Sequence, residues 1–185
     1  MSWVYKTTLS IGSTVAGVLA CLWLRAARRK YAPSSRELTP FEREAMRGWF
    51  SEDLLASVRI AETDGIELPW VGLTRRILGR GMAGLMDGPG GGGPGGIALG
   101  DLVVIRRRGG TSVLFHELVH IAQYQALGTR RFLTLYLRTW WESGRNYFAI
   151  PFEEEAYSWQ EHYDGGADKR DIEAVVRKCW GRRST

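Results

Sequence analysis

The chain holds three histidines, and two of them, His116 and His120, stand four residues apart in TSVLFHELVHIAQYQALG (111–128), with Glu117 beside the first. On a helix, positions i and i+4 share a face, so the two imidazoles project side by side. That spacing lets both bind one zinc ion at roughly 2.0–2.1 Å each. Glu117, one residue on, leans beside the ion rather than onto it, where it can hold a water molecule and accept its proton. An HExxH pattern arises by chance in a chain of this size on the order of once in a few hundred. The ordinary alternative is a pair of core histidines bonded to neighbours. Burying two imidazoles and a carboxylate together without an ion is costly, which weighs against it.

A catalytic zinc usually takes three protein ligands and keeps one position open. The residues three and six beyond His120 are Gln123 and Ala126, so the metzincin continuation is absent. The later segment AIPFEEEAY supplies Glu153, Glu154 and Glu155 just after Pro151, which suits the first position of a helix. Carboxylates there also suit the helix dipole, so three solvated N-terminal glutamates are the plain alternative. His162, in WQEHY, is a further candidate ligand.

An HELVH helix followed by a glutamate-bearing helix resembles the gluzincin group of zinc metallopeptidases. More closely, FHELVHIAQYQALG with IPFEEEAY resembles small zincin-like domains that pair a His-Glu-Leu-x-His helix with a Pro-x-Glu-x-Glu-Ala-Tyr segment. The resemblance covers roughly residues 97–160. It implies His116 and His120 as zinc ligands, Glu117 as general base and Glu153 as third ligand, with Glu155 as the alternative. Gluzincins commonly place an aspartate four residues after the ligand glutamate to orient a histidine; Tyr157 stands there in this chain. A phenol can bond an imidazole without adding negative charge, or donate to an oxyanion in the substrate.

The site needs elements to hold it. Thr111 or Ser112 is the expected cap of the HELVH helix and Gly128 its end. Val113 and Tyr124 extend the site-bearing side, while Phe115, Leu118, Val119 and Ala122 face the core. RRFLTLYLRTWWESG reads as a second helix, PFEEEAYSWQEHY as a third and KRDIEAVVRKCW as a fourth. Upstream, Thr39, Pro40 and Glu42 spell a capping box with proline at the first helical position. A strand-like run lies around Ser57–Ala61, and IALGDLVVIRRR (97–108) reads as one strand or a tight pair, an edge along which an extended peptide can pair. Residues 79–100 hold eleven glycines, with GPGGGGPGG at 88–96. No Gly-Lys-Ser/Thr follows, which argues against a nucleotide-phosphate loop and leaves a surface loop or a lid. Few strands upstream and helices downstream predict an α+β fold, a minimal zincin-like domain with a helical C-terminal half.

At 185 residues and 44% hydrophobic content the chain fits one domain plus an appendage. The net charge of +5 comes from clusters at 25–30, 106–108, 129–131 and 177–183, and no nucleic-acid-binding motif accompanies them. Cys21 and Cys179 form no framework and no CxxC pair. The stretch TTLSIGSTVAGVLACLWL (7–24) carries no charge and is followed by RAARRK. Its eighteen residues span about 27 Å as a helix. The expectation is one apolar N-terminal helix (1–30) acting as a single-pass membrane anchor, with the basic flank keeping residues 25–185 cytoplasmic. A cleaved signal, a lipoprotein signal at Cys21, a transit peptide and a helix packed on the domain are the competing readings. Residues 31–39 then read as a linker and 40–185 as the zincin-like domain. The expected function is a membrane-anchored zinc metallopeptidase acting on peptides or proteins. The competing functions are a zincin-derived metal-binding domain without turnover, and a membrane-surface interaction module.

Overall fold

A computed structural model describes residues 11–66, 94–107, 109–144 and 146–181, with backbone alone for 11–16. Most of the expected glycine-rich loop, residues 88–93, lies outside the described residues, so the lid reading does too. Among the described residues the fold is α+β, seven helices and one small sheet. The chain runs α1 (Ile11–Tyr31), a 3-10 turn (Ala32–Ser34), α2 (Pro40–Met46), α3 (Glu52–Ser57) and β1 (Arg59–Thr63). After β2 (Gly96–Leu99) and β3 (Leu102–Arg106) come α4 (Gly110–Leu127), α5 (Thr129–Glu142), a 3-10 turn (Tyr147–Ala149), α6 (Pro151–Asp164) and α7 (Ile172–Trp180).

The sheet order is β1-β3-β2, with β3 central, parallel to β1 and antiparallel to β2. IALGDLVVIRRR therefore forms the tight pair of the two alternatives, turning at Gly100, whose φ of 81° favours glycine. Leu102 to Ile105 are all buried, as a central strand covered on both faces requires. The capping box forms as its residues dictate: the Thr39 hydroxyl accepts from the Glu42 N–H, and the Glu42 carboxylate accepts from the Thr39 N–H at 2.7 Å.

Helix α4 is the axis of the molecule. It packs against β2, β3, α5, α6 and α7, and every residue from Leu114 to Tyr124 is buried. One expectation is corrected here. The helix has no Thr111 or Ser112 cap: Gly109 is the N-cap without a side-chain bond, and Ser112 instead donates to Asp164 Oδ2 at 2.8 Å. Gly128 ends it with φ 77°, as expected.

The membrane anchor is also corrected. Among the described residues no helix is long and apolar enough to cross a membrane. Helix α1 occupies the place of the expected single-pass span, but Gly12, Ser13, Thr14 and Gly17 dilute its hydropathy and four basic residues close it. Its inner side is committed to protein. Leu24, Ala27 and Tyr31 are buried, and α1 lies so close to α5 that a Cβ on Gly17 would fall 2.3 Å from Thr134 Oγ1. Arg28 reaches across to the Leu99 carbonyl at 2.8 Å and pairs with Asp101. Residues 31–39 are structured: Arg36 and Ile60 exchange backbone bonds of 2.8 and 2.7 Å, and Leu38 is buried.

Candidate metal centre

His116 and His120 project from α4 with their rings 4.8 Å apart, and Glu153 meets them from the first turn of α6. Pro151 opens α6 at the position where its missing N–H is not needed, and that start sets Glu153 against α4. His116 Nε2 lies 3.1 Å from His120 Nε2 and 3.2 Å from Glu153 Oε2; His120 Nε2 lies 3.3 Å from Glu153 Oε1. Ligand atoms around a tetrahedral ion at about 2.05 Å sit about 3.3 Å apart, so the donor atoms have the spacing such an ion requires. The three residues form a buried group able to hold a metal ion. They are 5%, 6% and 2% exposed, which makes the cluster costly for a chain that did not use it.

Both oxygens of Glu153 are held. Tyr136, from α5, donates to Oε1 at 2.6 Å, and Tyr147, from the 3-10 turn before α6, donates to Oε2 at 2.5 Å. Burial alone would raise the Glu153 pKa, but the charge on His120 and bonds from both histidines hold it well below the usual carboxylate range. Burial would likewise lower that of His120, yet the Glu153 charge and hydrogen bond carry it up to about 9. Without an ion, this pair is His120 cation and Glu153 anion. The two phenols that touch Glu153 are pushed upward, by burial first and by its charge second, so they stay protonated donors.

Glu117 is held apart from the three donors, against β2. Its carboxylate accepts from the Ala98 N–H, and a Cβ on Gly96 would sit 2.8 Å from Glu117 Cγ and Oε1. Only glycine at 96 lets Glu117 occupy this place. Burial raises the Glu117 pKa, and the two histidine charges partly oppose the rise. Tyr124 adds a long contact of 3.5 Å from its hydroxyl to the Ala98 carbonyl. The outward groups of Ala98 on this edge strand are thus engaged by α4, in the place where a peptide was expected to pair.

The Tyr157 ring sits tilted at 59° against His116, centroids 4.5 Å apart, and its hydroxyl meets that of Tyr147. The imidazole Nδ1 atoms have other partners: Gln160 Oε1 at 3.0 Å for His116 and Gln123 Oε1 at 2.8 Å for His120. Glu154 is exposed. Glu155 bonds Gln123 and Trp180, and His162 is exposed with its Nδ1 on the Ser158 carbonyl, so neither joins the cluster. Sequence reasoning missed Gln123, Gln160, Tyr136 and Tyr147. The two glutamines left a trace in their spacing, since Gln123 follows His120 by three and Gln160 follows Glu153 by seven, so each shares a helical face with a site residue. The tyrosines come from separate elements and left none. Comparisons with protein families, with curated proteins and with solved structures give no match.

Proposed function

We propose that this chain is a zinc-dependent metallopeptidase of zincin type, with His116, His120 and Glu153 as ligands and Glu117 as general base. The observation that carries the reading is the triangle of two Nε2 atoms and one carboxylate at 3.1–3.3 Å, with a second carboxylate on the same helix held just outside it. Two imidazoles and one carboxylate are the donors of a catalytic zinc site, and the spacing favours a tetrahedral ion. Such an ion supplies Lewis acidity toward a substrate carbonyl and water.

The chain's own groups supply the rest. Glu117 takes a proton from the attacking water onto a carboxylate oxygen and delivers it to the leaving nitrogen. Burial raises its pKa and so favours the protonated form that it must hold between the two transfers. Tyr136 and Tyr147 fix Glu153, and we assign to the half-buried hydroxyl of Tyr157, which bonds that of Tyr147, the role of donor to a developing oxyanion.

One observation favours a second reading, metal binding without turnover: Glu117 is buried and already bonded to Ala98. The variant Glu117→Gln separates the two. Its amide oxygen can still accept from Ala98, so the zinc-loaded full chain should keep its metal and fold. Hydrolysis of a mixed peptide library should fall at least about 10²-fold. Equal turnover in wild type and variant would refute the assigned mechanism. Zinc in both with cleavage by neither would favour the second reading.

A further inference from the structure

Each site histidine is tied by its Nδ1 to a glutamine, and each glutamine is tied onward to groups that accept from its amide nitrogen. Gln123, with no exposed surface, uses its amide nitrogen twice: it donates to the Phe152 carbonyl at 3.1 Å and to Glu155 Oε2 at 2.8 Å. Neither acceptor carries a proton to give, so the nitrogen must face them and the amide oxygen must face His120. An oxygen there forces the proton onto His120 Nδ1 in the neutral ring and leaves the lone pair on Nε2. Glu155 is itself steadied by the Trp180 indole N–H at 2.7 Å, and the Trp180 ring stacks on Phe152 at 4.3 Å.

The second chain repeats the logic through a hydroxyl. Ser112 spends its one proton on Asp164, so its oxygen accepts from Gln160 Nε2 at 2.8 Å. Gln160 therefore turns its oxygen to His116 Nδ1, and the neutral His116 ring likewise carries its lone pair on Nε2. Two independent chains, ending at Glu155 and Asp164, set the same tautomer on both rings.

We propose that Gln123 and Gln160 are the positioning residues of this centre, dictating Nε2 coordination by both histidines from acceptors a full side chain away. They stand where a gluzincin-like chain was expected to use the residue at 157. The proposal rests on the metal reading above, and it deepens that reading by naming what prepares the rings for the ion.

The two glutamines differ in what they tolerate, and that difference makes the test. Glutamate at 160 keeps the oxygen toward His116, and the Ser112 hydroxyl can turn to donate to it. Glutamate at 123 would set an oxygen against the Phe152 carbonyl and the Glu155 carboxylate. Zinc affinity of the full chain is measured by competition with a chromophoric chelator. Gln123→Met and Gln160→Met, which keep side-chain length, should each bind about 10–100-fold more weakly. Gln160→Glu should restore affinity and Gln123→Glu should not. Long-range proton–nitrogen spectra of the zinc-loaded wild type should show both histidines protonated at Nδ1. Wild-type affinity in both methionine variants, or coordination through Nδ1 in the spectra, overturns the proposal. A wild-type chain that takes up no zinc overturns the metal reading, and this one with it.

Discussion

Proton competition for His120 gives the centre a pH dependence that follows from its pairing with Glu153. In the metal-free chain Glu153 holds the His120 pKa up at about 9, against an ordinary value of 6.5. An ion needs the Nε2 lone pair, so that proton must leave. At pH 7 only about 1% of His120 is neutral by this value, so affinity should lie about 100-fold below its limit. It should rise about tenfold per pH unit until it levels near pH 9. Binding at pH 7 should release about one proton from this ring. Zinc affinity measured by competition at pH 6.5, 7.5 and 8.5 checks the slope, and calorimetry in two buffers of different ionisation enthalpy counts the proton. The same shift bears on stability, and its sign is opposite. A raised folded pKa stabilises the metal-free fold fully below 6.5, and that contribution is lost as pH rises through about 9. The shift amounts to about 3 kcal/mol. A flat affinity over this range, with no proton released, would show that His120 and Glu153 are not paired as described.

Two substitutions probe the supports of the site. Gly96→Ala places a Cβ 2.8 Å from Glu117 Cγ and must displace that side chain or the strand. It should cost about 1–3 kcal/mol in denaturant unfolding while leaving the zinc content unchanged. Tyr136→Phe removes the donor on Glu153 Oε1 and should destabilise the fold by about 1.5–3 kcal/mol. Denaturant unfolding of the metal-free chain reads this, and a cost near zero would mean water replaces the phenol.

What could be read from the sequence is what helix geometry makes local. The four-residue spacing puts His116 beside His120 whatever surrounds them, and Thr39, Pro40 and Glu42 specify a helix start within one turn. Glu153 was one glutamate among three because its selection is tertiary. It depends on Tyr136 and Tyr147 arriving from α5 and a 3-10 turn, while Glu154 meets solvent and Glu155 meets Trp180. The N-terminal stretch misled for a related reason. An uncharged run of eighteen residues reads as lipid-facing, and nothing local reveals that Gly17 exists to admit Thr134. The cap of α4 was misplaced because Gly109 and Gly110 supply the start by backbone conformation, which left Ser112 free to hold Asp164.

The most direct test of the account is the metal content of the full chain after zinc loading and gel filtration, measured by elemental analysis. About one zinc per chain is predicted for the three-ligand site. Glu154→Gln should match wild type, since Glu154 is exposed, whereas His116→Ala and Glu153→Gln should each lose the ion. A wild-type chain without stoichiometric metal, or a His116→Ala chain that holds as much zinc as wild type, would contradict it.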